Sequence, residues 1–95
     1  MITRIVKMIF REEEIPVFLE IFTTSCSKIR NFDGCINLQL MKSQNDKRIL
    51  FTISEWESED HLERYRSSEL FTATWAKTKI LFDAPPEAWT TTPGL

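Results

Sequence analysis

The alternation of apolar and polar residues along the chain predicts four strands and three helices. Residues 2–10 are rich in β-branched and large apolar side chains, which favour a first strand. Both faces of this strand are largely apolar, because Val6 and Met8 alternate with Ile5 and Ile9. We therefore expect both faces to be covered, although an antiparallel sheet commonly has one face in water.

A long amphipathic helix is predicted after this strand. The acidic residues 12–14 complement the positive N-terminal end of a helix, and Pro16 is tolerated only in its first turn. Gly34 is suited to the left-handed position just after a helix, so we expect the helix to end at Asp33–Gly34. The apolar stripe recurs at spacings of three and four and consists of Ile15, Phe18, Phe22, Ser25 or Cys26, Ile29 and Phe32.

An antiparallel hairpin is predicted to follow the helix. Residues 35–42 and 49–56 each have the composition and alternation of a strand, and the polar residues 43–46 between them predict a turn. At the end of the second of these strands we expect Trp56 to be a buried wedge.

Two short helices and a last strand complete the pattern. Ser58 and Ser68 are each suited to cap the N-terminus of a helix, with acidic residues directly after them. We expect residues 84–86, Ala-Pro-Pro, to end the second helix and residues 88–92 to form the final strand. The inner faces are predicted to carry Leu62 and Tyr65 on the first helix, and Phe71, Trp75, Thr78 and Phe82 on the second.

This order of elements, β-α-β-β-(α,α)-β, is that of a ferredoxin-like α+β domain, βαββαβ, in which the last helix is split in two. We expect one domain over residues 1–95, with helices on one face of a four-stranded antiparallel sheet. On the other face, Ile5, Ile9 and one side of the hairpin would expose an apolar surface to water. Such a surface usually marks an interface, so we expect a homodimer that forms through the sheet face.

Composition and charge argue against several classes of function. The formal net charge of −2 and the lack of a basic stripe argue against nucleic-acid binding. No apolar run approaches the ~20 residues needed to cross a bilayer, and no signal peptide is visible, so we expect no membrane association and a cytoplasmic location. Cys26 and Cys35 with the single histidine cannot make a four-ligand zinc site.

Two stretches of the chain resemble the antibiotic biosynthesis monooxygenase (ABM) domain. The first is FTISEWESE at residues 51–59, followed by Leu62, Tyr65, the Ser68–Glu69 pair and Phe71. The second is FDGC at residues 32–35, which is similar to that family's turn from helix to strand. The resemblance covers nearly the whole chain and implies a dimeric α+β barrel.

The family resemblance implies a cofactor-independent monooxygenase, without metal, flavin or nicotinamide, that acts on a quinol or polyphenol. The family also includes haem-degrading enzymes and domains with no assigned activity. In cofactor-free oxygenation, a phenol or hydroquinone loses a proton and its anion passes an electron to O₂. The protein must then supply an apolar cavity, a base or hydrogen-bond partner, and exclusion of water.

Candidate residues for this chemistry lie on the last two helices and on the sheet. Tyr65 and Trp75 are candidate catalytic residues, and His61, the only histidine, is a candidate base. The acidic neighbours of His61 favour an exposed position near the start of its helix. The aromatic stripe also fits a plain hydrophobic core. The candidate substrate-binding residues are Arg4, Asn37, Trp56, Phe71 and Phe82.

The haem-degrading branch of the family differs from this chain at its functional positions. That branch has a helix Trp, a His ten residues later and an Asn on the first strand. The corresponding positions here are Tyr65, Trp75 and, on the first strand, Val6 or Lys7. Without the axial His we do not expect haem degradation by that route, whereas haem binding in another mode stays open.

Two further hypotheses compete with the monooxygenase. The chain is a non-catalytic dimeric domain that binds a small hydrophobic ligand, or it is a scaffold domain with no ligand. No Ser-His-Asp set and no Gly-rich phosphate loop indicates a different chemistry.

Overall fold

The chain folds into four strands and three helices, and the computed structural model describes all of them, over residues 1–95. The elements are β1 (Ile2–Phe10), α1 (Ile15–Arg30), β2 (Cys35–Lys42), β3 (Ile49–Trp56), α2 (Glu59–Arg66), α3 (Glu69–Lys79) and β4 (Phe82–Thr91). A short 3₁₀ turn, Glu12–Glu14, precedes α1. The strands form one antiparallel sheet in the order β2-β3-β1-β4. The predicted ferredoxin-like α+β fold, with its last helix split in two, is confirmed.

Serine caps separate α2 from α3, as the sequence predicts. The Ser58 hydroxyl accepts a hydrogen bond from the backbone N–H of His61 at 3.3 Å. The Ser68 hydroxyl accepts one from the backbone N–H of Phe71 at 3.1 Å and donates to the Tyr65 carbonyl at 2.6 Å. Each cap satisfies backbone N–H groups that the first turn of a helix leaves without a partner. Ser68 therefore determines both where the chain breaks between α2 and α3 and where α3 begins.

The last third of the chain differs from the sequence prediction. Helix α3 ends at Lys79, so Phe82 lies in β4 and not on the helix, and β4 begins at Phe82 instead of at Ala88. Arg11 holds this junction, because its guanidinium donates hydrogen bonds to the carbonyls of Ile80 at 3.0 Å and Phe82 at 3.4 Å. The end of α3 is thereby tied to the end of β1.

The two prolines expected to end a helix lie within β4 instead. Strand β4 is at the edge of the sheet and pairs only with β1, so its other side needs no N–H donors. Pro85 and Pro86 fall at a register shift, between the pairs Ile9–Ala84 and Lys7–Glu87. A strand can accept proline at an edge or at such an irregularity, whereas a central strand cannot.

The helix-covered face of the sheet carries most of the buried core. Met8 and Phe10 of β1 pack with Leu50 of β3, Phe18 of α1 and Leu81. At the other end of the sheet, a second buried cluster consists of Ile2, Trp56 and Leu62, with Phe32, Cys35 and Tyr65 packed against it. No helix of the chain has both the length and the apolar character that a membrane span requires.

The outer face of the sheet is apolar and only half-buried within one chain. In the β1–β3 pair Ile5 lies opposite Ile53, and in the β1–β4 pair it lies opposite Trp89. Trp89 is 45% exposed, and Met41 of β2 is 48% exposed. The outer face is defined here by Ile5, Ile9, Met41, Ile49, Phe51, Ile53 and Trp89. A second apolar face is therefore present, and the helices do not cover it.

The turn between α1 and β2 depends on a glycine. Helix α1 ends at Arg30, so Gly34 lies several residues beyond the helix and not directly after it as predicted. Its φ of +86° is nevertheless in the left-handed region, as expected for this residue. A β-carbon at Gly34 would overlap the ring of His61, which packs on this turn.

Replacement of Gly34 by alanine is expected to lower the free energy of unfolding by about 2–4 kcal/mol, from the left-handed strain and the overlap with His61. Chemical denaturation followed by circular dichroism measures this loss. The matched control is Gly94→Ala, since a β-carbon at Gly94 meets nothing within 4 Å. The double variant Gly34→Ala/His61→Ala should recover only the part of the loss that comes from overlap with the imidazole ring, because the β-carbon of residue 61 also overlaps and remains. Equal stability of Gly34→Ala and Gly94→Ala would contradict the assignment.

Candidate functional site

A cavity of about 280 Å³ lies between the helix-covered face of the sheet and the three helices. Most of the residues that line it are apolar. Strands β1 and β3 form its floor, with Arg4, Val6, Met8, Thr52, Ser54 and Trp56, and Pro86 and Ala88 of β4 lie at its edge. Phe18, Phe22 and Ile29 of α1, and Tyr65, Phe71 and Trp75 of α2 and α3, are among the residues of its walls. An apolar cleft with a few polar groups is the usual form of a small-molecule site.

Aromatic rings follow one another along the wall formed by α2 and α3. Tyr65 stacks on Trp56 with ring centroids 4.9 Å apart, and its edge meets Phe71 at 5.3 Å. Phe71 stacks in turn on Trp75 at 5.9 Å. Behind the wall, Phe82 packs edge-on against Trp75 at 5.6 Å. These contacts hold flat rings in fixed orientations, and a planar aromatic ligand can stack on such surfaces.

Tyr65, which is one of the lining residues of the cavity, carries a neutral hydroxyl. Burial, and to a smaller extent the neighbouring Cys35, raise the pKa of this hydroxyl to about 12. No hydrogen bond joins the hydroxyl to another group of the chain, whereas the backbone carbonyl of Tyr65 accepts one from Ser68. Tyr65 is therefore a hydrogen-bond donor or acceptor near neutral pH and not a base.

The hydroxyls of Ser25, Ser54 and Thr78 in the cavity wall are engaged within the protein, whereas those of Thr52 and Thr74 make no hydrogen bond within the chain. Ser54 accepts a hydrogen bond from the indole Nε1 of Trp56 at 2.9 Å. Ser25 and Thr78 donate to backbone carbonyls of their own helices, each at 2.8 Å. The O–H groups of Ser25 and Thr78 are therefore not available to donate to a ligand in the cavity.

The charged residues of the cavity wall are both arginines. Arg4 of β1 donates from Nη1 to the hydroxyl of Thr90 at 3.0 Å. Arg66, at the end of α2, donates to the carboxylate of Glu63 at 3.1 Å. Burial and then the positive charge of Arg66 lower the pKa of the Arg4 guanidinium, while the charge of Glu63 partly opposes them. Both guanidinium groups remain charged, because arginine does not lose its proton in proteins.

His61, the candidate base, does not line the cavity. Its Nδ1 lies 2.6 Å from the Ser58 hydroxyl, and its Nε2 lies 3.6 Å from the Glu57 carboxylate and 3.9 Å from that of Asp33. Its side chain is 22% exposed, so it is partly buried and not freely exposed as the sequence suggested. The ring packs over the turn at Gly34.

Two of the candidate substrate-binding residues also lie away from the cavity. Asn37 is paired with Glu55 in the hairpin, and the next residue, Leu38, faces the helices. Phe82 supports the wall from behind, between Phe10 and Trp75. The structure brings together five of the sequence candidates at the cavity, namely Arg4, Trp56, Tyr65, Phe71 and Trp75.

Sequence reasoning missed the contribution of α1 and of Arg66 to this site. The stripe of α1 is predicted only as the apolar face of an amphipathic helix, and Phe18 and Phe22 in it both pack and line the cavity. Arg66 gave no signal of its own, since basic residues are common in the last turn of a helix, where they complement its dipole.

One group of side chains outside the cavity has the composition of a metal site. Ligand atoms of Asp33, Glu57 and His61 lie within 4.8 Å of one another, and both carboxylates are exposed. The guanidinium of Arg64 already lies 3.4 Å from the Asp33 carboxylate, and Ser58 is bonded to the His61 ring. These three residues therefore already have partners within the protein.

The fold and the cavity define a class of protein, a ferredoxin-like α+β domain with an aromatic-walled cavity between sheet and helices. Residues 1–77 match the sequence profile described as Antibiotic biosynthesis monooxygenase, and the chain belongs to this ABM family. No curated protein matches the chain in sequence.

Solved structures share this fold over almost the whole chain. A conserved protein from Methanosarcina mazei Go1 is 19% identical with a TM-score of 0.91, over 95% of this chain and 89% of that one. An antibiotic biosynthesis monooxygenase is 19% identical with a TM-score of 0.91, over 98% of both chains. Rv0793 from Mycobacterium tuberculosis is 18% identical with a TM-score of 0.89, over 97% of this chain and 93% of that one. At sequence identities of 18–19%, this structural similarity establishes a shared fold.

The hydroxyl of the single tyrosine is expected to titrate with a midpoint near pH 12 in the folded protein, instead of near 10. Because the folded-state pKa is raised, the contribution of Tyr65 to the free energy of unfolding is complete below pH 10 and is lost between about 10 and about 12. Near-ultraviolet absorbance of tyrosinate measures the midpoint, and circular dichroism shows whether the fold persists. Tyr65→Phe is the control, which should give no such signal. A midpoint near 10 in a folded protein would contradict the burial of this hydroxyl.

Proposed function

We propose that the protein is a cofactor-independent monooxygenase of phenolic or quinol-like aromatic compounds. The observation that carries the proposal is the apolar cavity walled by stacked aromatic rings, with Tyr65, whose hydroxyl has no hydrogen-bond partner in the chain, among its lining residues. Membership of the ABM family supports it.

The proposed reaction places the redox chemistry on the substrate. A phenol loses its proton to water, and the phenolate transfers one electron to O₂ to give a substrate radical and superoxide. These combine at a ring carbon to form a peroxide, which loses water and leaves a carbonyl. In sum, a phenol that carries a ring C–H reacts with O₂ to give a quinone and water, so one oxygen atom is incorporated and the other is reduced.

Tyr65 and Trp75 have distinct parts in this proposal. Phe71 and Trp75 offer their faces to the aromatic ring of the substrate. The neutral Tyr65 hydroxyl donates a hydrogen bond to the substrate oxygen, where negative charge develops when the proton leaves. His61 has no part, because its ring lies outside the cavity.

A specific feature of the cavity favours the second candidate function, a non-catalytic domain that binds a small aromatic ligand. No carboxylate, imidazole or lysine lines the cavity, so the chain offers no general base to the substrate. A pure binding domain needs none.

We also propose that two copies of the chain associate through the outer face of the sheet. Its isoleucines, Phe51 and Trp89 form an apolar surface that a single chain leaves half-exposed. Burial of apolar surface is favourable by about 25 cal/mol per Å². The face is on the side of the sheet opposite the cavity, so association leaves the helix-covered site intact.

Tyr65→Phe and Trp75→Ala are expected to lower oxygen consumption with menadiol or a polyphenol panel. The loss of a hydrogen bond to developing charge predicts a fall in turnover of about a hundredfold for Tyr65→Phe. Its free energy of unfolding should change by no more than ~1 kcal/mol, because the hydroxyl has no partner within the chain. An oxygen electrode measures turnover, and denaturation measures stability.

The control for this experiment is Leu19→Ala, an exposed apolar truncation on α1 outside the cavity, which should leave turnover unchanged. Unchanged turnover in Tyr65→Phe would remove Tyr65 from the site. Absence of oxygen consumption by the wild-type protein across the panel, with binding of the same compounds, would favour the non-catalytic domain.

Ile53→Glu is expected to convert a dimer into a folded monomer at micromolar concentration, because the introduced charge would be buried opposite Ile5 at the interface. Sedimentation equilibrium gives the mass, and circular dichroism verifies the fold. Ile80→Glu, the same change at a 65% exposed position on the other side of the molecule, is the matched control and should remain dimeric. A monomeric wild-type protein would refute the proposed association.

A further inference from the structure

Most lining residues of the cavity are apolar, but those that carry a charge are positive. Arg4 and Arg66 are its charged lining residues, and no aspartate, glutamate, lysine or histidine lies among the others. Glu63 binds Arg66 from the surface side, where its carboxylate is more than half exposed. Arg4, Arg66 and Glu63 therefore give this part of the wall a net positive charge.

Arg4 has most of its hydrogen-bonding capacity free. Its Nη1 donates to Thr90, and no carboxylate lies within ion-pair distance of its guanidinium, unlike that of Arg66. The edge formed by Nε and Nη2 thus has no partner within the chain. Two parallel N–H groups on one edge of a guanidinium match the two oxygens of a carboxylate.

In the protein without a ligand, the surroundings of Arg4 make its charged guanidinium unfavourable in free energy. A guanidinium that is partly buried loses hydration, and a second guanidinium nearby adds repulsion. The lowered pKa of Arg4 has these two causes, in that order. An anion in the cavity would pair with the free edge of Arg4 and also reduce the repulsion from Arg66.

We infer that the cavity binds an aromatic anion, with its ring system against Trp75 and Phe71 and a carboxylate on the free edge of Arg4 beside Arg66. The inference rests on the proposed function in that both take this cavity as the ligand site. It also names the substrate class, a hydroxylated aromatic carboxylate. The volume of about 280 Å³ lies just below the usual range of ligand pockets, about 300–1,000 Å³, which suits a small ligand of two fused rings.

The matched probes for this inference are hydroxynaphthoate and its carboxamide, hydroxynaphthamide. The two have the same rings and nearly the same shape, and only the first carries the anionic group. Isothermal titration calorimetry is expected to show that the carboxylate binds at least about tenfold more tightly, which corresponds to ~1.4 kcal/mol. The preference should weaken as the salt concentration rises, since part of the arginine pair is open to solvent.

Variants of the arginines locate the source of the preference. Arg4→Met keeps the length of the side chain and removes the charge, so the carboxylate should lose its advantage over the carboxamide. Arg4→Lys keeps the charge without the forked edge and should retain only part of the advantage. Arg66→Met should also reduce it. Arg64→Met is the control, because Arg64 does not line the cavity and pairs with Asp33.

The outcomes separate this inference from the proposed function. Equal affinity for the two probes, or a carboxylate preference that survives in Arg4→Met with circular dichroism unchanged, would overturn the inference. If Arg4→Met does not fold, the same criteria apply to Arg4→Lys and Arg66→Met. Carboxylate binding that depends on Arg4 without any oxygen consumption would uphold the inference and refute the monooxygenase. Oxygen consumption by the wild-type protein, together with equal affinity for the carboxylate and the carboxamide, would support the monooxygenase and refute the inference.

Discussion

The burial of the Trp56 indole is the interaction on which the cavity depends. Its side chain is completely buried at the end of β3, and its single polar atom is satisfied by Ser54. Tyr65 of α2 stacks on one side of the ring, and Phe32 from the turn after α1 meets it edge-on. One side chain therefore fixes the sheet, the end of α1 and the start of the α2–α3 wall relative to each other. Tyr65 contacts Phe71, and Phe71 stacks on Trp75, so the position of Tyr65 also sets the positions of these two rings.

The cavity is retained in a domain that has little stability to spare. A domain is typically stable by about 5–15 kcal/mol, and unfilled volume in a core lowers that figure. Rigid stacked rings resist collapse into the space, because aromatic side chains have few rotamers and hold one another in place. The placement of Arg4 adds a second cost, since its charge is partly removed from water without a carboxylate partner. Both features are unfavourable for stability alone, and both are useful for a ligand that carries rings and a negative charge.

Local chemistry predicted most of the elements from the sequence, since their signals lie within a few residues of one another. The first three strands follow from alternation and β-branched composition, and the caps of α2 and α3 follow from Ser58 and Ser68. The prediction was wrong where a local signal was overridden by position in the sheet. Pro85 and Pro86 indicate a helix end when read locally, but β4 is an edge strand with an irregular register, and it accepts them. Phe82 continued the helical spacing by coincidence.

The sequence by itself determined which residues are apolar, where every strand and helix except β4 begins, and that both faces of the sheet are apolar. The tertiary structure alone decided which side chains meet. His61 and Tyr65 are one helical turn apart, yet the capping serine and the Gly34 turn hold His61 outside while Tyr65 lines the cavity. Arg4 and Arg66 are distant in sequence and come together only because α2 packs, through Leu62, on Ile2 of β1 and Trp56 of β3. Periodicity assigns a residue to a face of its own element, whereas a site also depends on how elements pack, and that is set by long-range contacts.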